Sequence, residues 1–554
     1  MSNFLLLLVL ACTAVWAQDG AVQKQSSDTK TQTATVEGTV SNEVTGAPIA
    51  GADVVLFRDE APGPNEEPQM LGAVTDATGH FSITDASPGR YWLRAERNQY
   101  LAATFGARRL GSPGSILNLT PGQHLSGKNI ALLPSAAMEG RVVDENGEPL
   151  VHVEVSAMRY NRRGRLRFLL PHGRTNTNDR GEYRIFGLAP GNYYVRATYY
   201  RGGWGAATHR SDNLFYLPTY YPGVTDIAGA AVVEVQPGAE IPIDFTLTRS
   251  ATVQVVGTIV NPSGGDLQDY SVMLIAPGLG QVGSRLDKQG ANFELQGVTP
   301  GTYVLEAQAY GTGSSSRTGR QTITVGNVPL DGVKVVLSPP TQVHGMIRVD
   351  GNARVDLSQL YITLGEANPV DPKLMWNSNN SQAPKRDGTF EMSDVPPGDY
   401  RLEVGARGRG LEDWYTKSVH FGSRDVTDSL LQVTGGGTVP LDVLISPAGA
   451  TIQGVVKDAN DHPVSAAMVV TVPQGKHSDR FDLYQTAATD QQGTFKIRGA
   501  APGTYKVFAW EDVDNEAWFD PDFMKNYESQ GTSVSVNEWD RSTLSLRVIP
   551  SSKK

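Results

Sequence analysis

Residues 88–96 read Pro88-Gly89-Arg90-Tyr91-Trp92-Leu93-Arg94-Ala95-Glu96, and Phe81 stands seven residues before the proline. Proline presets the first central position of a tight turn, and glycine tolerates the positive φ that a type II turn needs at the second. After the turn Tyr91, Leu93 and Ala95 fall on one face, with Arg94 and Glu96 on the other. A period of two predicts a strand with one side buried. A tyrosine opening a strand after a corner is also the arrangement of the tyrosine corner in Greek-key sandwiches.

The same arrangement returns at Pro190-Gly191-Asn192-Tyr193, Pro300-Gly301-Thr302-Tyr303, Pro397-Gly398-Asp399-Tyr400 and Pro502-Gly503-Thr504-Tyr505. The aromatics seven residues earlier are Tyr183, Phe293, Phe390 and Phe495. A period near one hundred residues with invariant internal spacing is an internal repeat. Each copy opens with a short glycine-bearing strand: Val36-Glu37-Gly38-Thr39-Val40, Met138-Glu139-Gly140-Arg141-Val142, Val255-Val256-Gly257-Thr258-Ile259, Val343-His344-Gly345-Met346-Ile347 and Ile452-Gln453-Gly454-Val455-Val456. Each closes with another alternating segment, such as Ile243–Leu247 or Leu544–Val548. Closing and opening segments nearly touch around Ser135, Ser250, Pro339 and Pro447, which predicts short joints and a semi-rigid rod.

Composition agrees. The 59 glycines and 33 prolines of the 554 residues are too few for low complexity and suit a turn-rich all-β chain. The net charge of −10 gives no reason to expect nucleic acid as a partner. The sole cysteine, Cys12, lies in the apolar stretch Phe4–Trp16, which is too short to span a bilayer. That stretch reads as a secretory signal cut after Ala17, with Val15 and Ala17 as the small residues. A lipidated Cys12 is the weaker alternative. After cleavage no disulfide is available, so each unit must rely on its own core. No later segment approaches the ~20 apolar residues of a membrane helix.

The repeat resembles the carboxypeptidase regulatory-like domain family, with its opening V-x-G-x-V, then G-x-P, then T-[DN]-x-x-G-x-[FY], then P-G-x-Y. The first unit carries Gly46-Ala47-Pro48-Ile49 and Thr75-Asp76-Ala77-Thr78-Gly79-His80-Phe81. The second carries Gly147-Glu148-Pro149-Leu150 and Asn178-Asp179-Arg180-Gly181-Glu182-Tyr183. The fifth has Asp461-His462-Pro463-Val464 at the G-x-P step, and the third and fourth keep only the second half clearly. The resemblance implies a seven-stranded Greek-key, Ig-like or prealbumin-like β-sandwich in each unit. It leaves function open, because relatives include carbohydrate-binding-like modules and surface-stalk modules.

Chemistry is sparse in the sequence. None of the nine histidines opens a zinc-ligand pair, and His152 with Glu154 reads as a surface pair. Gly122 to Asn129 nearly spells a phosphate loop, but Asn129 stands where Ser or Thr is needed and a strand follows instead of a helix. Arg159, Arg162, Arg163, Arg165 and Arg167 form a basic run, read as a solvated connection between strands or a polyanion site. Tyr199, Tyr200, Trp204, Tyr220 and Tyr221 in the second unit, and Trp510 and Trp518 in the fifth, either pad their insertions or stack on sugar rings. Asp512, Asp514 and Glu516 are weak candidates for calcium, since the EF-hand spacing is absent.

The sequence therefore predicts a signal peptide at 1–17, a flexible leader at 18–34, and sandwiches at 35–135, 136–250, 251–339, 340–447 and 448–550. It predicts a secreted or cell-envelope spacer or interaction protein, non-catalytic and without cofactor. Carbohydrate binding through the aromatic loops is the alternative, with a polysaccharide or another envelope protein as the expected kind of partner.

Overall fold

The computed structural model describes residues 32–59, 70–107, 114–163, 166–199, 214–264, 269–276, 280–282, 285–310, 316–369, 381–406 and 411–550. They form an all-β chain with one short α-helix, Pro521–Lys525. In the first unit the opening strand Ala34–Asn42 runs antiparallel to the fourth, His80–Ala86. On its other side lie two parallel pieces of the seventh, His124–Leu125 and Ile130–Leu132. The facing sheet orders the third strand Met70–Val74, the second Asp53–Arg58, the fifth Gly89–Glu96, and a broken sixth at Ala103–Thr104 and Leu117–Leu119.

The order fourth–first–seventh against third–second–fifth–sixth recurs in each of the other four repeats among the described residues. Their opening strands are Ala136–Asp144, Val253–Val260, Thr341–Val349 and Ala450–Lys457. Two repeats exceed the expected seven strands: Arg285–Gln289 flanks the third unit's fourth strand, and Tyr415–Phe421 flanks the fourth unit's seventh. Each pair of sheets encloses its own apolar cluster, built in the first unit around Val36, Val54, Phe81 and Leu93.

The opening-strand glycine and the invariant aromatic are cross-strand partners in every repeat. Gly38 faces Phe81, Gly140 faces Tyr183, Gly257 faces Phe293, Gly345 faces Phe390, and Gly454 faces Phe495. A Cβ on Gly257 or Gly345 would enter the opposing ring. On Gly38, Gly140 or Gly454 it would strike the carbonyls of Lys128, Ile243 or Leu544, where the chain passes on the other side. The glycine thus lets a ring on one flank and backbone on the other close over the same strand, a β-sheet use of glycine paired with an aromatic.

The Pro-Gly corner differs from the expected type II turn. Gly89, Gly191, Gly398 and Gly503 have φ of 153°, 139°, 159° and 158°, far past the ~80° of that turn. They already belong to the fifth strand, in a region that glycine alone enters readily. The tyrosine closes the corner instead. The hydroxyls of Tyr193, Tyr303, Tyr400 and Tyr505 donate to the carbonyls of Ala189, Thr299, Pro396 and Ala501, at 2.8, 3.1, 2.9 and 2.8 Å. In the first unit Tyr91 accepts from Arg58 Nε at 3.1 Å. Burial raises the hydroxyls of Tyr193, Tyr400 and Tyr505, which keeps them neutral donors.

A threonine secures the loop after the opening strand in units one, two and five. Thr75, Thr177 and Thr489 donate to the carbonyls of Ile49, Leu150 and Val464. They accept from the amides of Ala52, Val153 and Ala467. The near phosphate loop makes no cradle: Asn129 Oδ1 accepts from the amide of Thr39 at 3.1 Å, and the segment runs into the strand Ile130–Leu132.

Polar contacts lie at the joints. Between units one and two, the Gly238 amide bonds the Pro134 carbonyl at 3.0 Å. Leading into the next joint, Arg249–Ala251 pairs back onto Leu214–Tyr216 of the second unit, and Arg249 bonds Glu145 of that same unit at 2.5 Å. Between units three and four Arg320 bridges Glu306 and Glu366, at 2.6 and 3.1 Å. The chain is nevertheless not the straight rod expected from its short joints. Arg162 of the second unit pairs with Asp520 of the fifth at 2.7 Å, so the chain doubles back.

Substituting Phe495→Ala should destabilise the fifth unit by about 3–5 kcal/mol through the lost burial and cavity. Gly454→Val should be at least as damaging, because the added carbons meet the Leu544 carbonyl. Tyr505→Phe should cost only about 1 kcal/mol, one hydrogen bond. Calorimetry of the full chain would resolve the shift in that unit's transition, and an unmoved transition in Gly454→Val contradicts the packing described.

Candidate functional site

The aromatic residues of the fifth unit build a second apolar layer. After the fifth strand Gly503–Trp510, the chain makes a 3-10 turn at Ala517–Phe519 and the helix Pro521–Lys525 before the sixth strand, Thr532–Val536. Trp510 and Trp518 are only 1% and 5% exposed. They pack with Val470, Val472, Phe508 and Ile549 on the outer face of that unit's sheet. Trp510 stacks on Phe508 at 5.1 Å, with the edge of Tyr527 at 5.8 Å. Neither indole offers a face to a sugar, so both act as core and the sugar-stacking role expected of them is withdrawn.

The second unit divides in the same way. Tyr220 is buried with Met158 and Leu169. Tyr221 lies edge-on to Phe245 at 6.5 Å, and Tyr199 edge-on to Tyr216 at 5.4 Å. These three rings pad the insertion onto its own sandwich. Tyr200 and Trp204 lie outside the described residues.

The basic run is not a loop. Val153–Arg163 and Leu166–Asn176 form a long antiparallel hairpin in which Arg162 faces Arg167. Sequence reasoning missed it because six arginines, Gly164, Pro171 and Gly173 read as a loop and hide Met158 and Phe168, which are buried. Arg159 lies over the Tyr193 ring at 5.2 Å and Arg167 over the Tyr160 ring at 3.9 Å. Arg162 pairs with Asp520. Arg165 and the side chain of Arg163 lie outside the described residues. Glu154, expected to pair with His152, instead accepts from Ser156 and faces Arg174.

Among the described residues no three His, Cys, Asp or Glu side chains are placed to hold a metal ion. Asp512, Asp514 and Glu516 therefore do not converge into a calcium site.

The feature the sequence did not announce is the joint between units four and five. A cleft of about 380 Å³ opens there, lined among others by Tyr361, Arg401, Asp428, Phe481, Asp482 and Phe519. Arg401 spans the two units, donating to the Asp479 carbonyl at 2.9 Å and covering the Phe481 ring at 4.6 Å. Asp428 receives His477 at 2.8 Å, Arg480 at 3.6 Å and Lys476 at 3.7 Å. Two cations and an imidazole from the fifth unit meet this one carboxylate of the fourth and bind the two sandwiches together. On another side Lys417 joins Asp350 and Glu538 at 2.5 and 2.8 Å, while Tyr415 donates to Glu538 at 2.7 Å. Burial and that bond push the Tyr415 hydroxyl up to about 12.

A model of the carboxypeptidase regulatory-like domain matches residues 35–132, 137–248 and 451–515. Units one, two and five are carboxypeptidase regulatory-like domains. They are also the units with the buried threonine clasp, Thr75, Thr177 and Thr489. Units three and four lie outside the matched residues and share the strand order and the glycine–aromatic pair of these domains.

No curated protein matches the chain. Among solved structures, the minor pilin of Streptococcus agalactiae is 12% identical, covering 40% of this chain and 97% of its own, with a TM-score of 0.22. The major pilin subunit of Bacillus cereus is 12% identical over 75% of this chain and 100% of its own, with a TM-score of 0.15. The pilus protein RrgB of Streptococcus pneumoniae is 9% identical over 76% and 99%, also at 0.15. Likeness at this level says nothing of function. Among the described residues no helix is long and apolar enough to cross a membrane.

The carboxylates at the joint give it a pH dependence. Arg498 holds Asp413 below the ordinary carboxylate range, and Lys417, then Tyr415, do the same for Glu538. A depressed carboxylate stabilises the fold above its unfolded value near 4 and loses that contribution as pH falls through the lower folded value. Asp413→Asn should therefore lower the melting temperature of the fourth and fifth units at pH 7, and the deficit should shrink as pH drops toward about 3. A deficit that is constant across pH contradicts the assignment.

Proposed function

We propose that this protein is a non-catalytic spacer and interaction protein of the cell envelope or exterior, with sandwich boundaries at 35–135, 136–250, 251–339, 340–447 and 448–550. The observation that carries this reading is that each repeat has its own sheets and apolar cluster, while hydrogen bonds or ion pairs cross the first, third and fourth joints. Self-sufficient units joined in series suit a chain whose task is to hold surfaces apart. The signal-like segment at 1–17 supports export, and the absence of cysteine beyond Cys12 means that export requires no disulfide chemistry.

A second reading, capture of a polysaccharide, rests on the cleft between units four and five. There the Phe481 and Phe519 rings, 5.0 Å apart, stand beside Arg401, Asp428 and Asp482. Apolar rings next to fixed polar groups are the ordinary composition of a small-ligand cleft.

Binding of the purified chain to a panel of neutral and acidic polysaccharides separates the two. The spacer reading predicts no saturable binding, read by tryptophan fluorescence and gel retardation. Saturable binding that is lost in Phe519→Ala, with the melting temperature kept, would overturn it in favour of the cleft.

A further inference from the structure

The hairpin of the second unit is longer than its sandwich needs. Its strands run eleven residues each, against six and five for the corresponding strands of the first unit. The fifth strand of the unit pairs with it only from Val153 to Met158. Beyond Met158 the strands have only each other, from Arg159 opposite Leu170 to Arg163 opposite Leu166. That makes a two-stranded arm of five residues a side, roughly 17 Å at the usual rise. Two-stranded ribbons are marginal in water by themselves. Met158 and Leu169 anchor the base of the arm against Tyr220. Further out Arg162 reaches Asp520 of the fifth unit, and both side chains are substantially covered, at 33% and 20% exposure.

The charges of the two segments match beyond that one pair. Residues 155–178 hold six arginines and no carboxylate. Residues 511–528 hold seven carboxylates and one lysine. The acidic segment is firmly seated. Trp518 is buried beneath it, and Asp520 also caps the helix Pro521–Lys525 by accepting from the Asp522 amide at 3.0 Å. A rigid acidic shelf therefore stands opposite a projecting basic arm, although the two are more than three hundred residues apart in sequence. The Arg162–Asp520 pair joins the basic run to the acidic one.

We propose that the arm of the second unit and the acidic shelf of the fifth form an electrostatic latch that holds the chain doubled back, and that releasing it lengthens the chain. A lone exposed ion pair is worth little. A basic segment against an acidic one of equal and opposite net charge is worth more, and salt screens it within about 10 Å at 0.1 M. The latch therefore makes reach depend on ionic strength and on competing polyions. It deepens the spacer reading and rests on it only for its biological meaning, because the shape of the chain is measured without reference to any partner.

Small-angle scattering of the full chain tests the latch. A straight row of five units of ~35 Å has a radius of gyration of roughly 50 Å, and a globule of this length roughly 24 Å. At low salt the chain should lie well below the rod value, and at about 1 M salt it should rise by on the order of 10 Å. Arg162→Glu and Asp520→Arg should each produce the same rise at low salt, and the double charge swap should reverse it. The swap also guards against a variant that merely misfolds. A wild-type chain at the rod value overturns the proposal, as does a compact chain indifferent to both reversals. Doubling of mass when the two single variants are mixed also overturns it, because the arm would then grip a second copy instead of its own chain.

Discussion

Every sandwich in this chain turns on one place where a ring, a glycine and a passing backbone meet. The fourth strand supplies the ring, the opening strand the glycine, and the run into the seventh strand the backbone. Any side chain at Gly140 or Gly454 would push the Ile243 or Leu544 carbonyl away. The opening strand would then lose one of its two neighbours, and it is the strand that sits centrally in its sheet. The tyrosine corner fixes the opposite sheet with a single hydrogen bond from a buried hydroxyl. In Tyr193, Tyr303, Tyr400 and Tyr505 the bond reaches the carbonyl four residues back, which sets where the fifth strand begins. The two devices register the two sheets independently, and so the same sandwich forms from sequences that otherwise differ widely.

With the units self-sufficient, the remaining specificity lies in the joints. Arg320 between Glu306 and Glu366, Lys417 between Asp350 and Glu538, and Asp428 beside Lys476, Arg480 and His477 are polar contacts, partly shielded from solvent. Such contacts contribute orientation more than stability, since desolvation offsets much of their attraction. At the third and fourth joints they orient one sandwich against the next, while the Arg162–Asp520 pair joins the arm of the second unit to the shelf of the fifth.

The repeat, the alternation and the turn glycines were legible in the sequence because they follow from local rules. Tyr91, Leu93 and Ala95 must share a face in any strand, and the spacing from Phe81 to Tyr91 recurs unchanged in every unit. What was not legible depends on tertiary context. Trp510 and Trp518 look like exposed platforms in an acidic insertion, yet they bury themselves on the outer face of their own sheet. Asp512, Asp514 and Glu516 alternate like cation ligands, yet among the described residues they do not gather into a group that could hold a metal ion. Arg159 to Arg167 look like a loop because arginine carries no strand signal, while the pairing that makes them a hairpin comes from Leu169 and Phe168 facing inward. The cleft between units four and five draws on residues more than a hundred positions apart, from Tyr361 to Phe519, which no spacing rule connects.

Hydrogen exchange of the full chain followed by mass spectrometry tests the central claim most directly. The opening strands Ala34–Asn42, Ala136–Asp144, Val253–Val260, Thr341–Val349 and Ala450–Lys457 lie centrally in their sheets beside the glycine–aromatic pair. The account predicts that these five segments, with the fourth strands that face them, are the last to exchange in their units, in five separately protected groups. Rapid exchange across any one opening strand, with protection concentrated elsewhere in its unit, would contradict it.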